Sequence, residues 1–273
     1  MTSKLTCIRG LSMAIGLGFS ALATAHPTWL LPSHFSVSKA QGSWITFDYT
    51  ASHTVFSVDK PASAHEAKVE LPSGATVRPD HILRGKRRSV FDFFFVEPGT
   101  HKVVVANRDP IYLTFFTDRR GKEGKVAATK AQRQAQLPRG AKDAKTMAIT
   151  KHTESYITVM APTEIKAKNQ GFEMVPVTHP ADLVENEAFT MSYRVNGKPV
   201  EGLEVTLTRE GAQYRDAQNA LTATSDSNGE VQFTVEQAGR YLLAANQRYK
   251  LRDDTMADMA ATMLHTTIEV QLD

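Results

Sequence analysis

Short runs of β-branched and aromatic residues, separated by turn residues, limit the folds open to this chain more than any other feature. In the run from Ser43 to Thr50, Ile45, Phe47 and Tyr49 fall on one face of a strand and the residues between them on the other. After the first 25 residues, no stretch approaches the roughly 18 apolar residues of a membrane span. Many short alternating strands with turns between them predict an all-β protein built from β-sandwiches.

The strand-like runs form two groups, which predicts two tandem β-sandwich domains over residues 26–165 and 170–273. Within the first group, residues from about 118 to 148 are polar and rich in Ala, Lys, Gln and Arg, which predicts a short helical insert. The segments 96–108 and 235–248 resemble each other with a one-residue slip. Two related sandwiches explain this similarity, and so does convergence on a common hairpin pattern.

Three methionines near the end of the sequence, Met256, Met259 and Met263, lie at helical spacing. The spacing predicts the hydrophobic face of a helix. A soft copper(I)-binding stripe is the alternative.

Residues 1–25 have the pattern of a secretory signal. Lys4 and Arg9 precede a short apolar run, and Ala23-Thr24-Ala25 is an A-x-A cleavage signal. The pattern predicts a signal helix that is cleaved during export, leaving a periplasmic protein without a membrane span.

The single cysteine, Cys7, lies inside this signal. The processed chain therefore has no disulfide, no thiolate zinc site and no cysteine nucleophile. The whole chain has 32 Lys and Arg against 29 Asp and Glu. Cleavage removes two of the cations and no anion, and this near-neutral balance argues against nucleic-acid binding.

Cleavage after Ala25 would make His26 the first residue, with a free α-amine beside its imidazole. The amine and Nδ1 can chelate copper or a similar ion, and one further imidazole would complete a histidine brace. A polar residue following A-x-A is also an ordinary occurrence, so the residue alone leaves both interpretations open.

Three histidines are the preferred candidates for a further ligand. His34 follows Pro32, where the chain can turn back, and His53 follows the first strong strand. His179 lies in a proline-stiffened segment in which Asp182 could orient the ring. The spacing gives no H-x-H or H-E-x-x-H signature, so each also fits an ordinary surface or core role. The same applies to His65, His81, His101, His152 and His265.

Enzymatic chemistry has little support in the sequence. It contains no G-x-S-x-G elbow, no phosphate-binding glycine loop and no dinucleotide fingerprint. We therefore expect a protein that is not an enzyme.

Several stretches together resemble the DUF4198 family. They are HPTWLLPSHF from His26, GKRRSVFDF from Gly85, GFEMVPVTHPADL from Gly171, YRD from Tyr214 and SDSNGEVQFTVEQAGRYLLAA from Ser225. This family consists of exported proteins often labelled as periplasmic components of nickel or cobalt transport systems. The resemblance implies a transthyretin-like C-terminal sandwich and metal handling beside an outer-membrane receptor or an inner-membrane permease.

The residues and the resemblance together predict a periplasmic accessory protein that binds nickel, cobalt, copper or iron for uptake or homeostasis. The predicted ligands are His26, His53, His179 and His34. Trp29 and Tyr49 would pack around the ion and limit water.

Two alternatives remain open. One is a protein- or glycan-binding module without metal, in which Trp44 forms a sugar platform. The other is a copper-dependent oxidase of the histidine-brace type, which resembles the lytic polysaccharide monooxygenases and would need a flat, exposed copper face.

Overall fold

A computed structural model describes residues 27–273, so the predicted signal segment 1–25 and His26 lie outside the described residues. The strands of the first half are β1 (Thr28–Pro32), β2 (Ser36–Val37), β3 (Ser43–Ala51), β4 (Lys60–Pro61), β5 (Ala67–Glu70), β6 (Thr76–Val77), β7 (Ile82–Arg84), β8 (Ser89–Phe95), β9 (Gly99–Ala106), β10 (Ile111–Thr117), β11 (Glu123–Val126) and β12 (Lys142–Val159). Those of the second half are β13 (Phe172–Pro176), β14 (Ala188–Val195), β15 (Lys198–Pro199), β16 (Glu204–Arg209), β17 (Leu221–Thr224), β18 (Glu230–Thr234), β19 (Gly239–Lys250) and β20 (Met259–Val270). The helical segments are α1 (Arg133–Gln136) and a 3₁₀ turn (Ala212–Tyr214). The chain is mostly β, as the sequence predicts.

One large sheet, the central sheet, contains strands from both halves of the chain. Its order is β17-β16-β19-β20-β12-β9-β5-β6, with β10, β11 and β2 attached beside this path. The halves meet where β12 and β20 pair in parallel. The first outer sheet has the order β1-β3-β8-β7 with β4, and the second outer sheet consists of β13, β14, β15 and β18.

Two hydrophobic cores lie on opposite faces of the central sheet. Ile157 of β12 belongs to the N-terminal core together with Phe47 of the first outer sheet. Its neighbour Tyr156 belongs to the C-terminal core together with Met191 of the second outer sheet. Successive side chains of a strand point to opposite faces. The two groups of strands predicted as tandem sandwiches therefore share β12 between their cores.

The alternation predicted for β3 is confirmed. Ile45, Phe47 and Tyr49 are buried, whereas Trp44 is 63% exposed. Each buried side chain of this size contributes about 1.5–3 kcal/mol relative to an exposed one. This face fixes the register of β3 and, through pairing, the position of β1.

The polar insert contains a short helix, but only over Arg133–Gln136. The residues from Lys142 onward, which the prediction placed in the insert, already form β12. A helix this short is marginal without tertiary support, and Arg133 of α1 contacts the Asp258 carboxylate. No helix among residues 27–273 is long and apolar enough to cross a membrane.

The helix predicted around Met256, Met259 and Met263 is wrong. Residues from Met259 onward form β20, which hydrogen-bonds to β12 on one side and β19 on the other. Two flanking strands satisfy its backbone groups along most of its length, so tertiary pairing overrides the local 3–4 spacing.

Candidate functional site

The first described residues are held against the loop that contains His53. Thr28 of β1 pairs with Ala51 of β3. One residue further, the Ser52 N–H donates to the Pro27 carbonyl at 3.1 Å. Pro27 therefore lies beside Ser52, the residue that precedes His53.

The loop after β3 is also attached to the second half of the chain. Gln218 Nε2 donates to the His53 carbonyl at 3.0 Å, and the Ser57 hydroxyl donates to Gln213 Oε1 at 2.6 Å. Trp29 is buried against Val55 of this loop. These contacts fix the backbone at His53, whose side chain is exposed.

A buried polar group lies beneath Thr28, on the central sheet. The Thr28 and Thr153 hydroxyls share a hydrogen bond of 2.6 Å. Thr28 Oγ1 also lies 3.3 Å from Nδ1 of His265, a β20 residue that is 4% exposed. Burial lowers the pKa of His265 to about 4, and the charges of Lys151 and His152 lower it further.

Tyr49 extends this polar group on the first outer sheet. Its side chain is buried, and burial raises its pKa against the opposing effect of hydrogen bonds with Thr153 and Thr28. The predicted neighbours Trp29 and Tyr49 therefore both lie where the described chain begins.

His179 lies elsewhere, at the far end of β12. Its Nδ1 accepts a hydrogen bond from the Ala181 N–H at 3.0 Å, so Nε2 carries the proton that it donates to Thr100 Oγ1 at 3.0 Å. Thr100 pairs with Thr158, whereas Thr28 contacts Thr153. Five strand residues, about 16 Å, separate these two points, so the structure does not bring His179 to the start of the chain.

His34 is exposed and also lies toward the Thr158 end. Its Nδ1 is 3.1 Å from the Ser33 hydroxyl, and the next residue, Phe35, accepts a hydrogen bond from the Thr158 N–H through its carbonyl. Of the predicted ligands that the structure describes, only His53 lies beside Pro27. Within residues 27–273, no group of three or more His, Cys, Asp or Glu side chains is arranged to hold a metal ion.

A second polar cluster, the Glu154 cluster, lies inside the C-terminal core. Glu154 Oε2 contacts Lys102 Nζ at 2.7 Å and His152 Nε2 at 2.8 Å. Glu154 Oε1 accepts from the Tyr156 and Thr266 hydroxyls, both at 3.1 Å. Burial alone would raise the pKa of Glu154, but Lys102 and His152 hold it at about 2. With four partners, this carboxylate is a satisfied structural group.

Trp44, the predicted sugar platform, lies on the solvent face of the first outer sheet. It is paired across the strands with Phe94, which is also exposed, with ring centroids 5.3 Å apart and planes tilted by 55°. The pair offers an aromatic surface of two rings.

Comparisons with known proteins identify the family to which this chain belongs. A family model described as "Domain of unknown function (DUF4198)" matches residues 23–249, which confirms the resemblance drawn from the sequence. Among curated proteins, none matches this chain.

Several solved structures are similar to this chain at low identity. The D0-D1 domain of intimin is 13% identical, with 89% of this chain and 97% of that chain covered and a TM-score of 0.22. The adhesin InvE of Yersinia pseudotuberculosis is 9% identical over 89% and 58%, with a TM-score of 0.22. A DUF3823 family protein from Bacteroides uniformis is 11% identical over 91% and 100%, with a TM-score of 0.24.

Proposed function

This chain belongs to the DUF4198 family, and we propose that it is a periplasmic accessory protein that binds a transition-metal ion for uptake or homeostasis. The ion, one of nickel, cobalt, copper and iron, is bound by the amine and imidazole of His26 after cleavage behind Ala25. His26 lies outside the described residues, so the support comes from its covalent neighbour Pro27.

One observation carries this proposal, the hydrogen bond from Ser52 N–H to the Pro27 carbonyl. It ties the residue after His26 to the residue before His53. Two histidines that lie 27 positions apart in the sequence are thus each one residue away from the same hydrogen bond. A processed His26 needs one further imidazole to complete a three-nitrogen brace, and nitrogen donors suit copper, nickel and cobalt.

The proposed ligands are therefore the two histidines that flank this hydrogen bond, His26 and His53. His34 and His179, which lie toward the other end of β12, have no part in the proposal. The buried Trp29 and Tyr49 are proposed to exclude water from the inner side of the site.

Metal titration by calorimetry tests the proposal. Correctly processed protein is titrated with copper, nickel, cobalt, zinc and ferrous ions beside a form that retains Ala25 and a His53→Gln variant. We expect a submicromolar Kd for one ion, about −8 kcal/mol or better, lost in the Ala25 form and weakened at least tenfold in His53→Gln. His81→Gln removes another exposed histidine and is the matched control. Unchanged affinity in the Ala25 form would refute the proposal.

The partner and the finer fold division are also proposals. We propose that a transthyretin-like sandwich over residues 170–273 docks an outer-membrane receptor or an inner-membrane permease, while the sandwich over 26–165 presents the ion. Pull-down with a receptor or permease encoded beside this chain's gene, using the whole chain with and without metal, tests this.

A glycan-binding module is the second candidate, and the exposed pair of Trp44 and Phe94 favours it. Aromatic faces stack on sugar rings, and the two rings are large enough for such a contact. Loss of oligosaccharide binding in Trp44→Ala, with metal affinity unchanged, would support this reading. The proposal assigns no catalysis, and peroxide formation by the copper-loaded protein with a reductant would instead indicate an oxidase.

A further inference from the structure

We infer that His265 is a second imidazole ligand of this site and that the ion is copper. The inference rests on the proposed function, because it places a buried ligand of β20 beside the processed amino terminus. Sequence spacing gives no reason to choose His265, which lies 239 residues after His26.

Covalent reach makes the contact feasible. Only Pro27 separates residue 26 from Thr28, so residue 26 stays within about 7 Å of Thr28 in any conformation. The Thr28 hydroxyl lies 3.3 Å from Nδ1 of His265. The His265 ring is therefore within side-chain reach of the amine and imidazole that processing creates.

The hydrogen bonds around His265 suit a metal ligand. Within residues 27–273, the hydrogen bond of this ring runs from Nδ1 to Thr28 Oγ1, and Thr28 is itself bonded to Thr153. Metal-binding histidines usually donate their second ring nitrogen to such a neighbouring group, which fixes the ring and its tautomer. The inference places the ring proton on Nδ1, which donates it to Thr28 Oγ1, and this tautomer leaves a lone pair on Nε2 for the ion.

The groups around the His265 ring supply neutral rather than anionic donors. The Thr28 hydroxyl contacts the ring, and the Thr153 and Tyr49 hydroxyls are hydrogen-bonded to Thr28. Lys151 and His152 are the nearby charged groups that lower the pKa of His265, and no carboxylate is among them. A hard dication that relies on anionic oxygen ligands is disfavoured here.

Met263 adds a soft donor. It precedes His265 by two positions in β20 and therefore shares its face of the central sheet. It is half-buried and pairs with Lys151 of β12. Imidazoles with a thioether select copper over nickel, cobalt and harder ions, and copper also binds nitrogen sites most tightly among the divalent ions of this row.

Copper binding to the processed chain tests the inference. Copper(II) affinity is measured by calorimetry, and the number of bound nitrogens by electron paramagnetic resonance, for the unmodified chain, His265→Gln and His101→Gln. His101 is the matched control, since it is another buried histidine of the central sheet. We expect His265→Gln to weaken copper binding at least tenfold and to remove one nitrogen, with His101→Gln unchanged in both.

A second measurement does not depend on the variant folding. In the unmodified chain labelled with ¹⁵N-histidine, copper(I) should shift the His265 Nε2 resonance. An unchanged His265 resonance, or full affinity and nitrogen count in His265→Gln, overturns the inference. If the Ala25 form still fails to bind, that result leaves the proposed function standing with His53 as the ligand.

The same experiments can also refute the proposed function while supporting His265 as a ligand. Suppose that copper binding is lost in His265→Gln but complete in the Ala25 form. This result would support His265 as a ligand and refute chelation by the amine and imidazole of His26. No saturable copper binding to the processed chain would refute both.

Discussion

Removing the ammonium group of Lys102 should destabilise the protein severely, because it leaves the Glu154 carboxylate alone in the C-terminal core. Glu154 is 0% exposed, and Lys102 Nζ lies 2.7 Å from Oε2. The charge of Glu154 in turn raises the pKa of Lys102, although burial alone would lower it. In Lys102→Met, a hydrophobic side chain of similar length takes the place of the only ammonium that the described structure places on this carboxylate.

The expected loss is about 3–5 kcal/mol, the usual cost of removing one partner of a buried ion pair. Against a total stability of about 5–15 kcal/mol, this loss would lower the melting temperature by about 10 °C. Replacing both partners, in Lys102→Met with Glu154→Gln, should recover at least half of the loss because no buried charge remains.

Urea unfolding followed by circular dichroism at pH 7 measures these free energies. The control is Lys166→Met, which breaks the ion pair of Lys166 with Glu164, 4.0 Å apart with both side chains 79% exposed. Exposed pairs contribute about 0–1 kcal/mol. If Lys102→Met cost no more than Lys166→Met, the buried ion pair would not hold the core and the reasoning would be refuted.

Further predictions concern pH, the far end of β12 and one turn. The depressed pKa of Glu154, about 2 against an ordinary 4.5, means that its contribution is complete above pH 4.5 and is lost as pH falls toward 2; urea unfolding from pH 7 to 3 should show a shallower decline in Glu154→Gln. His179→Ala should cost about 1–2 kcal/mol through its two hydrogen bonds and leave the metal Kd unchanged in calorimetry. Gly229→Ala should cost at least about 2 kcal/mol, since φ is +75° and an added Cβ would clash with the Tyr193 carbonyl oxygen. Gly74→Ala, also at positive φ but in open space, should cost only about 1 kcal/mol by the same denaturation assay.

The alternation of side chains was sufficient to predict the strands and their buried faces. Ile45, Phe47 and Tyr49 follow the period-two rule because one outer sheet covers one face of the central sheet. The short helix in the insert was also predicted, because helix-forming residues are recognised from local composition alone. The family followed from motifs spread over nearly the whole chain.

Long-range pairing could not be read from local patterns. The parallel pairing of β12 with β20 joins residues more than 100 positions apart. No turn motif in the sequence indicates which two strands pair. The same pairing explains the error at Met259 and Met263, whose spacing suits a helix until two strands flank them.

The candidate site was predicted only in part. His53 follows a strong strand, and its place beside Pro27 follows from the pairing of β1 with β3. His265, the further ligand that we infer, lies in a segment predicted as a helix, and only the fold brings its ring to Thr28. The alternation of residues from Leu264 to Val270 is the sequence pattern that could have indicated a strand here.

The position of β20 between β12 and β19 has a consequence for biosynthesis. Ribosomes make a chain from its amino end, so β12 and β19 exist before the strand that separates them. Until residue 270 has been made, each presents an open edge of hydrogen-bonding groups to any other chain. The nascent polypeptide is therefore prone to aggregate until β20 has been made, and a chaperone that binds it would protect it most before that point.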